Sequence, residues 1–227
     1  MNHAVIFTFE GVLIDSPRYN SIAFDEILKS HGLTMDRINQ GFSWRGRSLR
    51  DLLKYVEQKF EVALDYNEFS RQATELTFSL MEKDGVTAPE GLAELLKDLK
   101  SKNIPVALAT NSIHARVDRV FTMFDLGGYF PVVVTSEDVV QHKPHPDVLL
   151  ESAKQLGVEP GNCVVIEDAQ SGIDAAKRAG MKSILFTQYQ SEKKETVVGV
   201  DLTVTGADAE ITSFTDLSSE KIEAMFA

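Results

Sequence analysis

The sequence specifies a doubly wound parallel α/β sheet interrupted by a helical insertion. Three observations point to it. Short apolar runs alternate with amphipathic stretches through the second half of the chain. Those runs are apolar at successive positions, so the strands should be covered on both faces, as in a parallel sheet flanked by helices. The segment from about Asp15 to Asp84 carries helical patterns and no convincing strand.

In chain order, the first strand is read over Ala4–Phe9. The insertion offers helices over Arg18–His31, Ser48–Phe60 and Tyr66–Lys83, punctuated by Gly32, Gly41 and Gly46. A helix over Glu90–Lys102 follows, where Leu92, Leu95, Leu96 and Leu99 recur at helical spacing and mark one buried face. Strands Ile104–Ala109, Val132–Thr135, Cys163–Ile166 and Ser183–Thr187 then alternate with helices His114–Phe124, Pro146–Leu156 and Gly172–Gly180. Polar Gln188–Glu195 reads as an exposed loop or a frayed helix start. A short strand near Leu202–Val204 and a helix near Ser218–Phe226 close the chain. The expected division is a core of residues 1–14 and 86–227 with a helical cap over 15–85.

Composition narrows the function classes. The chain has 227 residues, 43% hydrophobic and 25% charged, as an ordinary globular protein does. Its net charge of −11 argues against general binding to nucleic acid or anionic membranes, which needs a positive field. A small anionic substrate in a local cationic pocket remains compatible. Cys163 is the one cysteine, which excludes an intramolecular disulfide, and its apolar run makes it a buried core thiol. No apolar run reaches the roughly 18 residues of a membrane span. Met1-Asn2-His3-Ala4-Val5 lacks the features of a signal peptide, so cytoplasmic residence is the expectation.

Ligands of open parallel sheets bind at the carboxyl ends of the strands. The residues expected there are Thr8 to Gly11, Thr110-Asn111-Ser112 and Glu167-Asp168, with Lys143 on a loop before a helix. Hydroxyls, an amide, a lysine and paired carboxylates at one sheet edge suit an anion held beside a divalent cation.

The motifs carry a resemblance. Val5-Ile6-Phe7-Thr8-Phe9-Glu10-Gly11-Val12-Leu13 resembles the first motif of the haloacid dehalogenase-like phosphatases, Asp-x-Asp-Gly-x-Leu after an apolar strand. Thr110-Asn111-Ser112 resembles the second motif and Lys143-Pro144-His145-Pro146-Asp147 the third. Glu167-Asp168 with Ser171-Gly172-Ile173-Asp174-Ala175-Ala176 and Ala179-Gly180-Met181 resembles the fourth. Order and spacing fit over nearly the whole chain. The insertion is similar to the cap of the β-phosphoglucomutase and phosphoglycolate-phosphatase branch, on a Rossmann-type core.

The resemblance implies a magnesium-dependent reaction on a small phosphorylated metabolite. In the family, the first aspartate attacks phosphorus and the second, two residues on, exchanges protons with the leaving oxygen and with water. Carried over, Thr110, Asn111, Lys143 and Gly11 bind phosphate. Asp168, Glu167 and the main-chain carbonyl of Glu10 face the metal. The departure lies where the chemistry is done, since Thr8 stands at the nucleophile's position and Glu10 at the acid/base position. A threonine hydroxyl is a weak nucleophile without a base, and Glu10 carries its carboxylate one methylene farther out. The combination reads as a retained binding site with its chemistry removed. An active phosphatase or phosphomutase, or a non-catalytic interaction protein on the same scaffold, are the alternatives.

Simpler structural readings accompany these residues. Thr110-Asn111-Ser112 also suits a helix N-cap, and Lys143 suits a solvated surface position. Within the cap, Asp36–Lys54 holds five basic and two acidic residues. Arg45, Arg47 and Ser48 are there the candidates for substrate contact beyond the phosphate, with Ser48 also readable as an N-cap. His142 and His145 flank Lys143, but magnesium prefers oxygen ligands.

Overall fold

A computed structural model describes residues 3–42, 47–189 and 204–227. Its centre is a six-stranded sheet of β1 (Ala4–Phe7), β2 (Val106–Ala109), β3 (Val132–Val134), β4 (Cys163–Glu167), β5 (Lys182–Phe186) and β6 (Ala209–Ile211). The spatial order is β3-β2-β1-β4-β5-β6, and every pairing is parallel. Val5 is in register with Val106 on one side and Val164 on the other, which puts β1 in the middle. The chain builds outward from β1 in one direction, then returns to its other side at β4. Order reverses there, so a crevice opens at the carboxyl ends of β1, β2 and β4.

The apolar strands serve two cores through the period of two. Val5, Phe7, Leu108, Val164, Ile166, Ile184 and Phe186 face α5 (Leu92–Ser101), α6 (His114–Phe124) and α9 (Ser219–Ala224). Ala4, Ile6, Ala107, Ala109, Cys163 and Val165 face α7 (Asp147–Leu156) and α8 (Gln170–Ala179). Small alanines on the second face allow close helix approach. Burial pushes the Cys163 thiol up to about 11, so it stays protonated and inert at neutral pH.

The insertion folds as α1 (Pro17–Lys29), α2 (Met35–Asn39), α3 (Leu49–Phe60) and α4 (Tyr66–Asp84). These helices enclose an apolar cluster of their own, including Phe24, Leu28, Ile38, Leu52, Val56, Phe69 and Ala73. Tyr19 of α1, with Phe78 and Met81 of α4, packs instead with the sheet's core. Among the described residues no helix is long and apolar enough to cross a membrane.

Several boundaries differ from the sequence reading. β1 ends at Phe7 rather than Phe9, because the chain turns away after Thr8 through Gly11 at φ +80°. The five-residue α2, capped by Thr34, is too short to show periodicity. α8 begins two residues before Gly172. The sixth strand lies at Ala209–Ile211, and Leu202–Thr203 of the expected closing strand fall outside the described residues, as does most of Gln188–Glu195.

Candidate active site

The first loop, the ends of β2 and β4, and the segment before α7 converge on one pocket. It is lined by Thr8, Glu10, Arg47, Thr110, Asn111, Ser112, Lys143, Glu167 and Asp168, with Phe9 and Pro17. Thr8 is only 2% exposed, and its hydroxyl is buried without a hydrogen-bond partner. Such an orphaned oxygen costs about 1–3 kcal/mol. Its backbone N–H is spent on the Ile166 carbonyl at 3.0 Å, which ties the loop to β4.

Lys143 is a buried residue, not a solvated one. Its Nζ donates to Glu167 Oε2 at 2.9 Å, with both side chains almost wholly enclosed. Glu167 Oε1 accepts from the backbone N–H groups of Asp168 and Ala169 at 2.9 and 3.0 Å. Both carboxylate oxygens are therefore occupied, and Glu167 acts as the anchor of Lys143 and of the turn into α8. Gly172 makes this possible: a Cβ there would fall 1.7 Å from Glu167 Oε2. Asn111 holds Lys143 by its backbone, donating to the carbonyl at 3.2 Å and accepting from the N–H at 3.0 Å. Thr110 Oγ1 accepts from the Ser112 N–H at 2.9 Å, so it is both a turn former and a pocket residue.

Asp168, 4% exposed, lies against the first loop. A Cβ on Gly11 would sit 2.1 Å from its Oδ2, so only glycine lets the loop pass this close. What the pocket could hold follows from its donors. Asp168, the Glu10 carbonyl and the Thr8 hydroxyl are all oxygens, the ligand type magnesium takes, and magnesium is commonly held by one or two carboxylates with phosphate and water completing the shell. No group of three His, Cys, Asp or Glu among the described residues forms a metal cage. The donors thus fit a magnesium ion that shares its ligands with an anion.

Glu10 is engaged by a residue the sequence reading missed. Arg116 of α6 sends Nη2 to Glu10 Oε1 at 2.9 Å and to Asn20 Oδ1 at 2.7 Å, and Nη1 to Thr74 Oγ1 at 3.4 Å. Asn20 Nδ2 also donates to Glu10 Oε1, at 3.2 Å. Arg116 is 8% exposed. A signal was present: Arg116 precedes Val120 by four residues and so lies on the apolar stripe of α6, as Asn20 precedes Phe24 on α1. A polar residue on a buried stripe needs partners.

A second cavity adjoins the first between sheet and insertion. The two share Glu10, Arg47, Asn111 and Ser112, and the second adds Phe24, Ser48, Tyr66, Thr74 and Arg116. Ser48 forms a capping box with Asp51 at the start of α3, which commits its hydroxyl to the helix end. Arg47 borders both cavities and stacks on Phe42 at 5.4 Å. Arg45 lies outside the described residues.

The chain is similar to known proteins along most of its length. Residues 5–186 match the model of a family described as haloacid dehalogenase-like hydrolase. The fructose-1-phosphate phosphatase YqaB of Escherichia coli is 31% identical over 79% of this chain and 94% of its own. The β-phosphoglucomutase of Bacillus subtilis is 31% identical over 88% of each. The crystal structure of β-phosphoglucomutase from Clostridium difficile superposes with a TM-score of 0.78 at 29% identity, covering 100% of this chain and 97% of that one.

Proposed function

The chain belongs to the haloacid dehalogenase-like hydrolases, and from that premise we propose that it binds a small phosphorylated metabolite while turning it over weakly or not at all. One observation carries this reading: Thr110, Lys143 and Asp168 border a single pocket in which the neutral, unpartnered hydroxyl of Thr8 stands where an attacking carboxylate is expected. In this reading Lys143, aligned by Glu167 and Asn111, holds the phosphoryl oxygens with Thr110 and the backbone around Gly11. Asp168 and the Glu10 carbonyl hold magnesium, which when bound supplies charge neutralisation to the phosphate. Glu167 serves the site through Lys143 rather than as a metal ligand. Residues 15–85 act as the cap, and their cavity with Arg47 takes the body of the metabolite beyond its phosphate. The net charge of −11 accords with a small-molecule partner, and the cytoplasm is the compartment this reading assigns.

Phosphoryl transfer asks the protein chiefly for position and charge, so a site can keep its ligand after losing its attacking group. The test compares magnesium-dependent hydrolysis of sugar and polyol phosphates by the chain as it stands and by Thr8→Asp, with isothermal titration of inorganic phosphate into the former. Binding with negligible hydrolysis, and a gain of several orders of magnitude on Thr8→Asp, is expected. Brisk turnover by the unaltered chain would show a working phosphatase or phosphomutase. Absence of phosphate binding would turn the assignment toward an interaction protein.

A further inference from the structure

We infer that Arg116 is a positioning residue for Glu10, and that this pair preserves the proton-exchanging position of the site, leaving Thr8 as its single defect. The inference rests on the phosphomonoester reading above. Glu10 Oε1 receives two hydrogen bonds, from Arg116 Nη2 at 2.9 Å and from Asn20 Nδ2 at 3.2 Å. Arginine has donors only, so Asn20 must turn its oxygen toward Arg116, and Thr77 donates to that same oxygen at 3.1 Å. The orientation of every group follows. Oε1 is the accepting oxygen, which leaves Oε2 as the oxygen able to meet a ligand. Oε2 takes no hydrogen bond from the described residues, and Glu10 borders both the phosphate pocket and the adjoining cavity.

Arg116 is no incidental neighbour. It is 8% exposed, spans from α6 to Thr74 of α4, and passes 5.6 Å from the Phe78 ring. A buried guanidinium is costly unless its donors are met, and here Glu10 Oε1, Asn20 Oδ1 and Thr74 Oγ1 meet them. An aspartate at position 10 would fall short of Nη2 by about 1.5 Å, one carbon–carbon bond, which exceeds hydrogen-bonding range. The longer glutamate is therefore matched to Arg116, and the two substitute for a shorter side chain only together.

The step this serves balances as follows. A carboxylate introduced by Thr8→Asp attacks phosphorus. The ester P–O bond breaks, and its electron pair goes to the leaving oxygen, which takes the proton from Glu10 Oε2. Water then attacks the same phosphorus and passes a proton back to Oε2. The bond to the attacking carboxylate breaks and inorganic phosphate departs, with one water consumed and one alcohol formed.

The experiment measures kcat/KM in the Thr8→Asp background, alone and with Glu10→Asp, Arg116→Met or Arg116→Lys. Two esters are compared. Fructose 1-phosphate needs its leaving oxygen protonated, and p-nitrophenyl phosphate hardly does. Since kcat/KM reports steps up to departure of the alcohol, a misplaced proton donor affects the first ester alone. Thr8→Asp is expected to hydrolyse both. Adding Glu10→Asp or Arg116→Met should lower the value for fructose 1-phosphate about 10- to 100-fold. The value for p-nitrophenyl phosphate should change less than about threefold, and Arg116→Lys should recover part of the loss. The inference is overturned if Glu10→Asp improves the alkyl ester, if Arg116→Met leaves it unchanged, if both esters fall together, or if Thr8→Asp alone is inactive. Titration of inorganic phosphate into the unaltered chain separates the two levels. Phosphate binding alongside an active Thr8→Asp with the wrong ester pattern sinks the inference alone, whereas no binding, or an inactive Thr8→Asp, also counts against the functional reading beneath it.

Discussion

Lys143 and Glu167 meet at 2.9 Å with almost no solvent access, and the consequences of removing either differ from those at a surface pair. Exposed ion pairs contribute about 0–1 kcal/mol. Breaking a buried one strands a charge and costs about 3–5 kcal/mol. Lys143→Met should therefore lower stability by a few kcal/mol in denaturant titrations, moderated by the two backbone N–H groups that still serve Glu167. Lys143→Met combined with Glu167→Gln should recover most of that stability, because no unpaired charge remains. Phosphate binding should be lost in both variants, since the cation that meets the ligand is gone. A double variant that binds phosphate normally would remove Lys143 from the ligand site.

The loop between β3 and α7 borders the adjoining cavity through Ser136, and Asp138 shapes that loop. Asp138 accepts from the Thr135 N–H at 2.7 Å and its hydroxyl at 2.9 Å, and pairs with the His114 ring at 2.9 Å. Partial burial works against its charge, but the Thr135 N–H, His114 and the Thr135 hydroxyl outweigh it and hold the carboxyl below its ordinary value. A carboxyl depressed in the folded state contributes stability that is fully present above its unfolded value and lost as pH falls through the folded one. Asp138→Asn should cost about 0.5–1.5 kcal/mol at pH 7. The gap to the unaltered chain should close as pH drops below the ordinary aspartate range, seen in melting temperatures across pH. A gap constant to the lowest pH would mean that the carboxylate charge plays no part.

Two apolar systems hold the molecule together: the sheet with its flanking helices, and the separate cluster inside the insertion. Thr110 and Lys143, proposed to hold phosphate, and Asp168, proposed to hold magnesium, belong to the former. Leu52 is 1% exposed in the latter, so Leu52→Ala should cost about 2–5 kcal/mol through lost burial and the cavity left behind. Inorganic phosphate should still bind that variant with little change, while any phosphomonoester relying on the cap-side cavity should bind more weakly. Equal loss for both ligands in calorimetry would mean that the cradle needs the insertion for its own shape.

The order of strands and helices was legible because apolar runs of both periods are local, and the site because Gly11, Thr110 and Asp168 follow predicted strands while Lys143 precedes a predicted helix. Local pattern thus fixed the α/β architecture, the helical insertion and the sheet edge at which an anion would be met, together with the absence of a carboxylate at Thr8. Pairings between residues far apart were not legible. Nothing near Glu10 in the chain announces Arg116, 106 residues away, and nothing near Lys143 shows that Glu167 and Asn111 hold it in place. Those contacts exist because the sheet's reversal at β1 brings the ends of β2 and β4 against the first loop. Burial then forces each charge so enclosed to find a partner, an outcome that depends on three-dimensional proximity and leaves no periodic trace in the sequence.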